Sequence, residues 1–126
     1  MSQTVVPMIQ VPDVSATVDW YTFIGFQLLR VNEEDGEVNW AKMSFGSSEV
    51  MFQSGGKPST GHRREVGLCM LTDNIDDLRR HLQGRVQVLE NLHDTYGMRE
   101  LTTRDINGFW VTFGQPIEMA AHGKEW

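Results

Sequence analysis

Few side chains in this chain are suited to nucleophilic or acid–base work, and their spacing limits each of them. The histidines are His62, His81, His93 and His122, and the one cysteine is Cys69. His93 stands beside Asp94 in "NLHDTYG". A His–Asp pair can move protons, but adjacency in sequence does not make two side chains meet, and the stretch reads as a solvated loop. His62 lies in a Gly/Ser-rich stretch, His81 on the exposed side of an expected helix, and His122 in a polar tail. Cys69 reads more readily as a small hydrophobe than as a nucleophile. No spacing matches HExxH, CxxC or a phosphate-cradling glycine loop, so no residue is singled out as catalytic. The aromatic residues offer more. Trp40 and Trp110 fall on mixed strand faces, where each can stack on a planar or cationic group for about 0.5–2 kcal/mol.

The elements that must hold these residues repeat. Val5 to Val11 is expected as a strand, followed by a helix capped by Asp13 or Ser15 with Val14, Val18 and Tyr21 on one stripe. Gly25 ends that helix. Strands are expected at Phe26–Val31, Val38–Phe45 and Glu49–Gln53, separated by "EEDGE" and Gly46-Ser47-Ser48. "SGGKPSTGHRR", Ser54 to Arg64, is the one clear linker. The order then recurs. Val66–Leu71 is a strand, Asp73 caps a helix carrying Ile75, Leu78 and Leu82, and Gly84 ends it. Arg85–Glu90, Met98–Thr103 and Phe109–Phe113 follow as strands, the last stopped by Gly-Gln-Pro after the turn Asp105-Ile106-Asn107-Gly108. Asp13 with Asp73, Gly25 with Gly84, and Met51-Phe52 with Thr112-Phe113 recur at an offset of about 60 residues, which marks an internal repeat. The fold class expected is α+β, with two tandem βαβββ modules. Their curled, mostly antiparallel sheets would surround a cleft, with helices on the outside. Residues 1–126 form a single domain in this reading: module one at 5–53, linker 54–64, module two at 65–116 and tail 117–126.

Strand alternation separates two sets of side chains. Ile9, Val11, Val50, Phe52, Leu68, Met70, Val111 and Phe113 form an apolar set for the helices to cover. The other set is mixed: Val6, Met8 and Gln10; Trp40, Lys42 and Ser44; Glu49, Met51 and Gln53; Gly67, Cys69 and Leu71; Trp110, Thr112 and Gly114. A face of Trp, Met, Gln and Thr suits an amphipathic cleft for a small organic ligand. It equally suits a slightly polar core or a dimer contact.

The bulk numbers exclude some functions. One cysteine allows no intrachain disulfide and points to a reducing cytoplasm. No apolar run approaches the roughly 18 residues of a membrane span, and the N-terminus does not read as a signal peptide. Eleven basic against seventeen acidic residues, a net charge of −6, disfavour a nucleic-acid partner. The same balance mildly favours cationic ligands.

"VPDVSATVDWYTFIGF", "LTDNIDDL" and "RELTTRDINGFWVTFGQP", set in paired βαβββ modules, resemble the vicinal oxygen chelate superfamily of glyoxalases, bleomycin-resistance proteins and extradiol dioxygenases. The resemblance runs from about Val5 to Pro116, with Ile106 standing where the family's turn usually has proline. It implies metal ligands at Val6, Met51, Gly67 and Thr112. None of these supplies the imidazole, carboxylate or thiolate that a divalent transition metal needs, so no metal and no cofactor is expected. The resemblance then implies a metal-free protein of the bleomycin-resistance type, a homodimer sequestering an aromatic or cationic compound. Met8, Gln10, Trp40, Met51, Gln53, Trp110 and Thr112 are the expected ligand-binding residues, with Phe26 adding apolar surface and Arg99 or Glu49 orienting polar groups. The alternative is an enzyme of the same superfamily, a lyase, isomerase or dioxygenase with displaced or no metal ligands.

Overall fold

The first helix forms where its cap is built. Asp13 has extended backbone and its carboxylate accepts from the Ala16 N–H at 2.9 Å, satisfying one of the free donors of a helix start. In the computed structural model, which describes residues 3–117, this helix is α1 (Val14–Phe23) and follows strand β1 (Met8–Val11). Thr17, rather than Val18, completes the fully buried stripe with Val14 and Tyr21. Its hydroxyl donates to the Asp13 carbonyl at 2.7 Å, so a polar residue enters the core without an unmet hydrogen bond. Gly25, at φ 117°, turns the chain out of the helix in a conformation costly for other residues.

Three strands follow: β2 (Gln27–Glu34), β3 (Glu37–Phe45) and β4 (Ser48–Ser54). They form a four-stranded sheet of order β1-β4-β3-β2, in which β1 pairs parallel to β4 and the other pairs are antiparallel. β1 begins at Met8, later than expected, because Pro7 has no N–H to give a ladder. The Pro7 carbonyl still accepts from the Met51 N–H at 2.8 Å. The chain leaves β4 close to β1 at Gly56, where a Cβ would stand 2.5 Å from the Gln10 carbonyl oxygen. Only glycine fits that approach.

The second half repeats the order with β5 (Gly67–Leu71), α2 (Ile75–Leu82), β6 (Gln87–Thr95), β7 (Met98–Arg104) and β8 (Trp110–Pro116), giving a sheet of order β5-β8-β7-β6. α2 is capped by Asn74, not Asp73: the Asn74 amide oxygen accepts from the Asp77 N–H at 3.2 Å. That correction tightens the repeat, since Asp13 to Asn74 now has the same offset as Met51 to Thr112. β8 does not stop at Phe113. Gly114, Gln115 and Pro116 stay in register with Glu100, Arg99 and Met98, because proline at the strand's last position forgoes no needed donor.

The largest revision concerns His93. It lies in β6, not in a loop, because β6 continues to Thr95 through register shifts between Val88 and Glu90 and between Glu90 and His93. These irregularities break the period of two that marks a strand in sequence. The chain divides into two compact units, Met1–Ser59 and Thr60–Trp126, the division falling within the expected linker. Each sheet carries its helix on one face. Val11, Ala41, Met43, Val50 and Phe52 are buried in the first unit, and Met70, Leu101, Val111 and Phe113 in the second. His122 and the tail from 118 on lie outside the described residues.

Candidate functional site

Opposite each helix the sheet presents a second face, and strand register arranges it in rows. In the first unit Trp40, Gln53 and Gln10 stand side by side across β3, β4 and β1, and Lys42, Met51 and Met8 form the adjoining row. Five expected ligand residues therefore share one open face. Trp40, Met51 and Gln53 are half-buried, whereas Met8 is 53% exposed. Lys42 and Glu49 form an ion pair at 3.7 Å on this face. Phe26 does not join them. It is buried against the Tyr21 and Phe45 rings, with centroids 5.1 and 4.9 Å away, so it belongs to the core.

In the second unit the rows are Arg104, Trp110 and Gly67, then Thr102, Thr112 and Cys69, then Glu100, Gly114 and Leu71. The Thr102 and Thr112 hydroxyls share a hydrogen bond at 3.1 Å. Across β7 from this face, His93 adds its Nε2 at 3.8 Å from Glu90 Oε2 and 4.0 Å from Glu100 Oε1. Its Nδ1 lies 2.8 Å from the Asn91 carbonyl. A carbonyl only accepts, so Nδ1 carries the proton and Nε2 is the nitrogen turned to the carboxylates. Arg99 is on the other side, bonded to Asp76 of α2 at 3.1 Å, and cannot orient a ligand on the open face.

Two arginines from the linker close over the start of β8. The Arg63 guanidinium lies 3.9 Å from the Trp110 ring centroid. Arg64 is 5.2 Å from the Phe109 ring and donates to the Asn107 carbonyl at 3.2 Å. Sequence reasoning missed Arg63 because nothing local in "GHRREVG" says which ring it meets.

Cys69, although solvent reaches part of it, has its thiol pushed above the ordinary value, by desolvation first and by the Glu100 charge second. The thiolate is disfavoured in the folded chain. Alkylation at pH 8 should therefore run slower than for a free cysteine, and Glu100→Gln should speed it; an unchanged rate in that variant would refute the electrostatic cause. By linkage, a raised folded value stabilises below the unfolded thiol value, near 8.5. That contribution is lost as pH climbs through the folded value, so stability should decline above about pH 8.5.

The strand partner of Met51 is Met8, and that of Thr112 is Cys69. Shifting the implied first-strand positions by two residues therefore exchanges Val6 and Gly67 for a thioether and a thiol, which adds one donor whose thiolate is disfavoured and no imidazole or carboxylate. Among the described residues no three His, Cys, Asp or Glu side chains are grouped to hold a metal ion. This donor set does not fit a divalent transition metal. An open hollow lined by Leu71, Thr72, Asp73, Gln115 and Pro116 lies at the far end of β5 and β8 from Trp110. The Gln115 amide oxygen already accepts from the Ile75 N–H there, so the open faces, not this hollow, carry the candidate site.

Two four-stranded mixed sheets, each with one helix and built from a repeated strand–helix–three-strand unit, define the paired-module class of α+β protein. The family model of the Glyoxalase/Bleomycin resistance protein/Dioxygenase superfamily matches residues 3–113, and the chain belongs to that superfamily. Solved structures resemble it at low identity. TioX from Micromonospora sp. ML1 is 20% identical, with 91% of this chain and 100% of that chain covered and a TM-score of 0.74. TnmS3, an antibiotic binding protein from Streptomyces sp. CB03234, is 22% identical over 92% and 98%, with a TM-score of 0.66. The fosfomycin resistance protein FosX from Listeria monocytogenes, in complex with Mn(II) and sulfate, is 10% identical over 95% and 94%, with a TM-score of 0.72. At these identities the likeness is one of fold. No curated protein matches the chain.

Proposed function

We propose that this protein is a metal-free small-molecule-binding member of its superfamily, a cytoplasmic homodimer that holds an aromatic compound on its open sheet faces. One observation carries the reading: the rows where relatives by resemblance would bind metal hold Met8 with Met51 and Cys69 with Thr112, each beside a half-exposed tryptophan. Thioether, hydroxyl and indole groups suit an organic ligand better than a cation core. TnmS3, described as an antibiotic binding protein, supports the same class of activity. Trp110 already takes one planar cation, the Arg63 guanidinium, so an aromatic compound can join it without opposing a like charge. At Trp40 the adjoining row carries Lys42, already paired with Glu49, so that face too suits an uncharged aromatic ring better than a cation. The exposed side chains Leu28, Leu29 and Val31 on the edge strand β2 offer apolar surface for a second copy.

Native mass spectrometry of protein as purified should show a dimer without stoichiometric Zn, Ni, Fe or Mn. Calorimetric titration with a panel of planar aromatic compounds should give binding weakened about tenfold or more in Trp110→Ala. A stoichiometric metal, or a panel that Trp110→Ala binds as well as wild type, would refute the reading. A second reading, an enzyme acting without metal, rests on His93 Nε2 facing Glu90 and Glu100. It requires that a bound compound be converted and that His93→Asn stop the conversion.

A further inference from the structure

We propose that Arg63 makes the Trp110 end of the second sheet a subsite for an aryl acid. The ring of the ligand lies over Gly67 beside the indole, and its carboxylate, sulfonate or phosphonate is held by the Arg63 guanidinium. This rests on the ligand-binding reading above and names the ligand class for one of its two faces.

Three observations converge on it. Arg63 is exposed, has its guanidinium carbon over the Trp110 ring at 3.9 Å from the centroid, and makes no hydrogen bond or ion pair to another described residue. Stacking uses the face of a guanidinium and leaves the N–H donors along its edge, in the fork that fits a carboxylate or phosphonate. The next residue, Arg64, is anchored to the Asn107 carbonyl, which limits how far Arg63 can swing away. Gly67 then supplies the space. It is the lateral partner of Trp110 on β5, so no side chain stands there. Its backbone does not require glycine, because an added Cβ would meet only the Trp110 carbonyl oxygen, at an ordinary 3.8 Å. A flat floor, an aromatic wall and a fixed cation with unused donors select a planar acid and oppose a cation, against the direction of the chain's net charge of −6.

Isothermal titration with 2-naphthoate, 2-naphthamide and 2-naphthylmethylammonium tests this with one ring and three charges. The acid should bind at least tenfold tighter than the amide, and the amine weakest. Arg63→Gln should erase the preference for the acid, weakening the acid at least tenfold more than the amide, and Arg63→Lys should restore part of it. Gly67→Val should weaken all three at least tenfold with an unchanged unfolding midpoint, since valine favours a strand. Equal binding of the three, or preference for the amine, would overturn the acid subsite while leaving the aromatic-binding reading intact. Full affinity in Gly67→Val would overturn its placement over Gly67. Binding of none of the three to the wild type would overturn both readings together.

Discussion

Asp105→Ala should lower the stability of the second unit by about 2–4 kcal/mol, and denaturant unfolding followed by circular dichroism would show it. The buried Asp105 carboxylate accepts from the Asn107 and Phe109 N–H groups, both at 2.8 Å. Removing it orphans two donors in a buried turn, and each such donor costs roughly 1–3 kcal/mol. The loss is a large share of the typical 5–15 kcal/mol of a small domain. Asp105→Asn keeps an acceptor oxygen and should cost less than half as much. The same turn offers the Asn107 carbonyl to Arg64, so the alanine variant should also loosen the Arg63–Trp110 stack and red-shift Trp110 emission as water reaches the indole. A loss below about 0.5 kcal/mol would mean that water replaces the carboxylate, contrary to the burial seen.

Phe52→Ala should cost still more, about 3–5 kcal/mol, the usual range for emptying an aromatic site in a core. Phe52 is fully buried, in register between Ile9 and Ala41, with the Tyr21 ring 4.9 Å away. Its sequence neighbour Met51 points to the open face and is half-buried. Met51→Ala should therefore cost under about 1 kcal/mol. The contrast between adjacent residues is the test: similar losses at both positions would contradict the assignment of one face to the helix and the other to ligand.

Much of the candidate site was legible because strands alternate. Trp40, Met51 and Gln53 were assigned to one face from a period of two, and register places them there beside Met8 and Gln10. Phe26 and Arg99 depart from the alternation for a common reason. Phe26 precedes β2 rather than lying within it, so its direction is set by the turn at Gly25 and by the Tyr21 and Phe45 rings. Arg99 belongs to the helix-facing set of β7, which becomes evident only once α2 brings Asp76 to it. By sequence His93 looks like a loop residue because the bulged stretch of β6 loses the alternation that identifies strands.

The sequence by itself determined the repeated strand–helix–three-strand order and which strand faces go under the helices, and it narrowed the first helix cap to Asp13 or Ser15. Capping and periodicity are local, acting over a few residues, and so can be read from type and spacing. Only the tertiary structure decided which side chains stand next to one another: Arg63 over Trp110, Thr102 against Thr112, His93 between Glu90 and Glu100, and Met8 rather than Val6 beside Met51. Lateral register and the aim of a linker side chain depend on how segments far apart in the chain are brought into pairing. No short-range pattern encodes that, and it is where the chemistry of this protein is set.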